Sequence, residues 1–355
     1  MLSDPLFREL CTLPINYKTA RGLARNGFIY ISEVLNFPPE KLSSLCDISL
    51  EQAQLDLKII YEYKFLVQPK YQTAQEILEK EYGNTKKSKR LITICKNVDE
   101  ILEGGLTPGK ITEICGEPGV GKTQLSFQLC LTVQLPHWCQ CLDGDALFID
   151  TEGNFVPKRI KEMAASLVEH YNSTLVPEFK KLLIKNKVSV EDQKTTIQDY
   201  TVEKFMNRIL YCRVSEPLEI VQLSEEIKKN PPRGNKLKLI VVDSIAMPFR
   251  YQSENFYLRN RQLATVAQNF LELAQRLSAV VIFVNQITTK FGANDDNALV
   301  PALGSSWGHI CSIRLQLTVM PDKKRKLKII KHPGLANKEA FYIVHSDGIR
   351  DFIEI

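Results

Sequence analysis

One stretch constrains this chain more than any other: a glycine-rich loop set between a strand and a helix, residues 111 to 133. Ile111-Thr-Glu-Ile-Cys115 alternates with β-branched residues and reads as a strand. Gly116-Glu-Pro-Gly-Val-Gly-Lys-Thr123 follows at once. Leu125, Leu129 and Val133 then recur at helical spacing. Gly116, Gly119 and Gly121 leave the backbone free to bend round an anion with its N–H groups pointing inward. A helix starting near Lys122 adds its positive end. Lys122 can reach the β- and γ-phosphates of a nucleotide, and the Thr123 hydroxyl can ligate Mg²⁺. The expected cradle is therefore Gly116, Glu117, Pro118, Gly119, Val120, Gly121, Lys122, Thr123 and Gln124, with ATP and Mg²⁺ as the expected cofactors.

A strand feeding such a loop belongs to a parallel sheet with helices on both faces. Three more apolar runs fit that sheet: Ala146-Leu-Phe-Ile-Asp150, Leu239-Ile-Val-Val-Asp243 and Ala279-Val-Val-Ile-Phe-Val-Asn285. Their continuous β-branched character marks strands buried on both faces. Each ends in a polar residue, and ligands of such sheets bind at the carboxyl ends of the strands. Asp243 is placed to hold the Mg²⁺ hydration shell. Gln286 offers an amide that could sense the γ-phosphate. Glu152 could orient and deprotonate an attacking water, or serve as a first-turn acid complementing a helix dipole. Helical segments intervene, notably Leu258 to Leu277. After Trp307 hairpin strands are expected at His309–Val319, Lys326–Lys331 and Ala340–Val344, with Lys323-Lys324-Arg325 at a solvated turn.

Composition narrows the class. The net charge of +5 permits a polyanionic partner without arguing for one. No run of about 18 apolar residues suggests a membrane span, and the N-terminus lacks a signal-peptide pattern. The nine cysteines are scattered and mostly inside apolar runs, which favours reduced, buried thiols. His137-Trp-Cys139-Gln-Cys141 reads as a plain loop, since no second Cys/His pair has ligand spacing.

Three parts are expected along the chain. Residues 1–64 form short helices, with Gly27 at a helix end and Ser49 with Gln52 opening another helix. Residues 65–90 form a linker with a basic run at 86–90. Residues 91–355 form the α/β core.

The phosphate loop, Asp150-Thr-Glu-Gly153, Leu239–Asp243 and Val284-Asn-Gln286, in that order, resemble the RecA/RadA-type recombinase family. The small helical domain with Leu23-x-x-x-Gly27-Phe28 and the run Val98–Gly105 are similar to its eukaryotic and archaeal branch. Ile245-Ala-x-Pro-Phe-Arg250 and Leu299–His309 are similar to the C-type paralogues of the eukaryotic recombinase. The resemblance implies a RecA-type P-loop ATPase core: a mostly parallel twisted sheet with a C-terminal antiparallel extension, preceded by a small all-α domain. It implies a DNA-dependent ATPase of homologous recombination, with Glu152, Lys122 and Gln286 as catalytic residues. It implies partners: single-stranded and branched DNA, other paralogue subunits in a hetero-oligomer, and the recombinase filament. It also implies a nuclear location with a cytoplasmic pool.

Carried over by position, Tyr71 and Ala74 match an aromatic-x-x-Ala polymerisation motif, in which an extended strand adds to a neighbour. Arg159 matches a residue that packs on adenine. Met247–Leu258 and Thr288–Leu303 correspond to two DNA loops, with Arg250, Arg259, Arg261 and Lys290 as cations near phosphates. Lys331 stands where the recombinase has an aspartate facing the neighbour's nucleotide. The region Asn172–Thr196 looks longer than in the family and has no assignment.

Overall fold

The apolar runs ending at Asp150, Asp243 and Asn285 are buried throughout and lie side by side in this computed structural model. It describes residues 9–66, 73–76, 89–185, 197, 199–250, 256–290 and 298–352. The strands are β1 (Ile111–Gly116), β2 (Asp145–Asp150), β3 (Ile209–Arg213), β4 (Leu237–Asp243), β5 (Val280–Lys290), β6 (Ala298–Pro301), β7 (Ile313–Val319), β8 (Lys324–Lys331), β9 (Glu339–His345) and β10 (Gly348–Asp351). Helices are α1 (Tyr17–Arg25), α2 (Ile31–Val34), α3 (Pro39–Cys46), α4 (Leu50–Leu66), α5 (Lys96–Ile101), α6 (Lys122–Thr132), α7 (Pro157–His170), α8 (Val176–Lys185), α9 (Val202–Asn207), α10 (Pro217–Lys229), α11 (Phe256–Leu277) and α12 (Gly304–Ile310).

The sheet runs β10-β9-β8-β7-β1-β5-β4-β2-β3, with β6 paired to the far end of β5. From β7 to β3 every pairing is parallel. From β7 out to β10 every pairing is antiparallel. This is the RecA-type core with its antiparallel extension. Side chains alternate between two apolar layers, as strand pleating demands. Leu239 and Val241 enter one layer with Phe127, Phe148 and Leu315. Ile240 and Val242 enter the other with Phe270, Phe283 and Trp307. Each large side chain so buried contributes about 1.5–3 kcal/mol.

The chain divides into two units, residues 1–84 and 85–355. In the first, Leu23, Ile31, Val34, Leu42, Ala53 and Ile60 are fully buried. Gly27 takes φ +82° just beyond α1, as its helix-end position requires. Ser49 Oγ accepts from Gln52 N at 3.2 Å, but the Gln52 side chain turns to Asp56 instead of closing the box. Buried Asp56 also accepts from Thr19 Oγ1 and Asn16 N, which ties α4 to α1.

Three expectations need correction. His309 and Ile310 are helical, not the start of a hairpin, and the strand begins at Ile313. Lys324 and Arg325 belong to β8, and only Pro321–Lys323 make the turn. Lys324 stands over the rings of Phe341 and Phe352, and Arg325 Nε donates to Val120 O at 3.2 Å, so neither is a free hairpin tip.

A candidate nucleotide site at the strand ends

β1 delivers the chain to the loop at Gly116, where an added Cβ would meet Leu317 O at 2.7 Å. Glycine is needed there by the packing of β1 on β7. Gly119 and Gly121 take φ of +76° and +101°, a region that favours glycine. A Cβ on Gly119 would meet nothing within 4 Å, so glycine is required there by its φ and not by packing. Lys122 Nζ donates to the Gly116 and Glu117 carbonyls, both at 2.8 Å. Burial pulls its ammonium below the usual lysine range, while Asp243 and Glu152 push the other way. Pro118, Gly119, Gly121, Lys122, Thr123, Gln124, Glu152, Asn154, Asp243 and Gln286 line one cleft of about 320 Å³. Val120 is instead fully buried beneath the loop.

The acids meet there because β2 and β4 end side by side, with Gln286 of β5 next to them. Thr123 Oγ1 donates to Asp243 Oδ2 at 2.6 Å. Burial is the main reason the Asp243 carboxyl is pushed up to about 6. The Asp243–Ser244 peptide is cis. Thr151 N donates to Asp243 O at 2.9 Å, and Thr151 Oγ1 to Ser244 O at 2.7 Å, so the two strand ends are stitched together. Glu152 sits on a turn held by Asp150, whose Oδ1 accepts from the Glu152, Gly153 and Asn154 N–H groups at 3.0, 2.7 and 3.2 Å. Glu152 Oε1 accepts from Ser244 Oγ at 2.5 Å and Gln286 Nε2 at 2.9 Å. Asn154 Nδ2 donates to its other oxygen at 3.0 Å. The carboxylate is thus oriented by three donors. Ser244 and Asn154 are partners that the sequence reading lacked, though they lie one and four residues beyond the acids that end β4 and β2.

The donor set suits a magnesium nucleotide. It combines an open glycine cradle, a lysine, a hydroxyl beside a buried carboxylate, and a second carboxylate with an amide. These groups would hold the phosphates and the ion between β1 and β4.

The remaining candidates are scattered. Arg159 reaches sideways: Nε donates to Gln124 Oε1 at 2.8 Å, and its two terminal nitrogens to Ser346 O and His345 O. It ties the phosphate-loop helix to the β9–β10 turn. Arg250, at the surface, donates to Gln286 Oε1 on the rim of the cleft. Arg259 lies over the Phe256 ring at 4.9 Å, and Arg261 is exposed on α11. Lys290 ends β5, and its side chain lies outside the described residues. Tyr71 also lies outside them. Ala74 is exposed in a short helical turn, where Thr73 Oγ1 accepts from Glu76 N and Glu76 Oε2 from Thr73 N. Of that motif Thr73 and Ala74 are described, and Ala74 is helical.

Lys331 has a local role that the sequence did not disclose. Its ammonium donates to the Gly308, His309 and Cys311 carbonyls at 3.0, 3.3 and 2.8 Å, capping the end of α12. All three of its donors are engaged. In the unassigned region, α8 packs through Phe179, which stacks on Trp138 at 4.2 Å. Among the described residues no helix is long and apolar enough to cross a membrane.

Comparison with known proteins follows this geometry. The family model described as Rad51 matches residues 85–176 and 191–352. The gap between the two matches falls within the region that looked long. A DNA repair protein RAD51 homolog 3 from Cricetulus griseus is 33% identical over 353 residues, 97% of this chain and 92% of its own length. A protein of the same name from Dictyostelium discoideum is 38% identical over 262 residues, 74% of this chain and 65% of its own. A DNA repair and recombination protein RadA from Metallosphaera sedula is 29% identical over 332 residues, 93% of this chain and 91% of its own.

Proposed function

This chain belongs to the Rad51 family, and on that premise we propose that it is an ATP-driven subunit of homologous-recombination DNA repair. It assembles with other paralogue subunits and helps the recombinase filament form or persist on single-stranded DNA, with branched DNA as a second target. Its place of action is the nucleus, with a cytoplasmic pool. The observation that carries the reading is the cleft in which Lys122, Thr123, Asp243, Glu152 and Gln286 converge from the ends of four neighbouring strands.

Lys122 binds the β- and γ-phosphates from the floor of the loop. Thr123 and Asp243 would hold Mg²⁺, which when bound would offset negative charge on the phosphates. Glu152, oriented by Gln286, Ser244 and Asn154, accepts the proton of the attacking water. Gln286 also accepts from Arg250, so the rim of the cleft continues into the segment proposed to meet DNA. On that side Phe256 and Tyr257 are 60% and 80% exposed beside Arg259 and Arg261. Exposed rings with guanidinium groups suit stacking and phosphate contact along a single strand.

A second reading has one observation in its favour. Three donors already engage Glu152, so an attacking water must compete for the acceptor sites that remain. ATP would then lock a joint between subunits, with hydrolysis incidental.

ATP turnover with and without single-stranded DNA and partner paralogues separates the two. Turnover that DNA raises and that Lys122→Ala and Glu152→Gln abolish supports the driven cycle. ATP binding with no turnover in any assembly supports the locked joint. A chain that binds no ATP refutes both.

A further inference from the structure

A pocket of about 440 Å³, larger than the nucleotide cleft, opens at the antiparallel end of the sheet. It is lined by Asn97 and Glu100 of α5, Lys324 of β8, Glu339 and Phe341 of β9, and Phe352 just beyond β10. None of these lines the nucleotide cleft. The two rings already hold a cation. Lys324 Nζ stands 4.1 Å from the centroid of Phe341 and 4.1 Å from that of Phe352. A ring face attracts an ammonium within about 6 Å. One side chain fixes the backbone beneath both rings: Asn97 Nδ2 donates to Phe341 O at 3.2 Å and to Phe352 O at 3.4 Å. Asn97 N donates to Asp351 Oδ1 at 2.8 Å, so α5, β9 and the end of β10 are pinned around the pocket.

Charge decides what such a pocket can take. Glu339 pairs with Lys328 at 3.3 Å and Lys326 at 3.5 Å, and neither lysine lines the pocket. Glu100 is exposed, and no described residue pairs with its carboxylate. Lys324 is the only cation among the lining residues, and the rings engage its ammonium. A visiting cation therefore meets ring faces and an open carboxylate. A visiting anion meets two carboxylates and must first draw Lys324 out of the rings.

We propose that this pocket docks a basic segment of a partner protein, with an arginine side chain entering over Phe341 and Phe352 to pair with Glu100, and that Lys324 is the resident guest it displaces. Arginine suits the site better than lysine. Its planar guanidinium stacks on a ring and still offers donors to a carboxylate at its edge. Lys324 opens β8 directly after the turn at Pro321–Lys323, so its flexible stem can swing to solvent while the sheet stays paired. A cation that only replaced Lys324 on the rings would gain little, and the added bond to Glu100 is what favours the visitor. The site lies apart from the nucleotide cleft, so the inference goes beyond the nucleotide reading and does not depend on it.

The test uses the full-length chain without nucleotide, followed by fluorescence anisotropy at physiological ionic strength. The probe is a short labelled peptide of alternating arginine and glycine. Matched peptides carry lysine or glutamate in place of arginine, and a single-stranded oligonucleotide is the fourth ligand. The arginine peptide should bind about threefold tighter than the lysine peptide and about tenfold or more tighter than the glutamate peptide. Glu100→Gln changes an exposed side chain and should weaken arginine binding about fivefold. Phe341→Leu should weaken it by about the same factor. Lys324→Ala should strengthen it about threefold, because the resident guest is gone. Lys338→Ala removes the same charge from an exposed residue outside the pocket and should change binding by less than about twofold. Should Phe341→Leu fail to fold, the opposite effects of Glu100→Gln and Lys324→Ala still decide the matter. If the arginine peptide does not bind, or binds both of those variants as it binds the wild type, the proposal falls. If instead the glutamate peptide or the oligonucleotide binds and Lys324→Ala weakens it, the face receives anions and the proposal falls as well.

Discussion

Glu152 accepts hydrogen bonds on both oxygens, and a glutamine there would keep the shape and lose the base. Glu152→Gln should therefore bind ATP about as well as the wild type and lose about 100-fold or more of the turnover. Steady-state kinetics beside a nucleotide titration measures both, and retained turnover would mean that another group takes the proton. Lys122→Ala should lose about tenfold or more in ATP affinity, because it removes the charge from the floor of the loop. Asp99 offers a test by pH. Burial pushes its carboxyl up to about 6, against hydrogen bonds from Thr93 and Ile94 that favour the charged form. The folded chain then holds a proton that the unfolded chain releases, between about pH 4 and 6. This group's contribution to stability is greatest below pH 4 and falls as pH rises through 6. Urea midpoints at pH 5 and 7 should differ less in Asp99→Asn than in the wild type.

At the scale of elements, legibility followed burial. β2, β4 and β5 announce themselves as continuous apolar runs, β1 by alternation, and the phosphate loop by glycines that its conformation requires. β3 has a short apolar run, Ile209–Cys212, but is a half-exposed edge, and β10 has four residues. α12 reads Gly-Ser-Ser-Trp-Gly-His-Ile, a poor helix by propensity. Two tertiary contacts sustain it, the Trp307–Glu113 bond and the Lys331 cap, and neither can be seen in a local window. Lys331→Met keeps the aliphatic stem and removes the cap. It should cost about 1–2 kcal/mol, read as a lower urea midpoint with ATP affinity unchanged. Arg159 and Arg250 show the same limit in the site. Their types are visible in sequence, but their partners Ser346 and Gln286 are 187 and 36 residues away.

At the scale of the whole molecule, DNA contact is expected to be mostly with phosphates. Binding to single strands should then weaken with salt at a log–log slope of about −0.7 per phosphate neutralised, with little sequence preference. A salt-insensitive, sequence-specific footprint would count against it. The C-terminal strands have a different consequence. The last strands return to elements made far earlier: Asp351 to Cys95 across 256 residues, Ile349 to Gln128 across 221, and Ser346 to Arg159. Gly348 allows the closest of these approaches, since a Cβ there would run into Gln128 Oε1. On the ribosome, residues 1–84 can settle early from contacts among themselves, while the bonds to Arg159 and Gln128 wait until residues 346–349 are made. Losing residues 346–349 would take these bonds with it and loosen the helix that follows the phosphate loop.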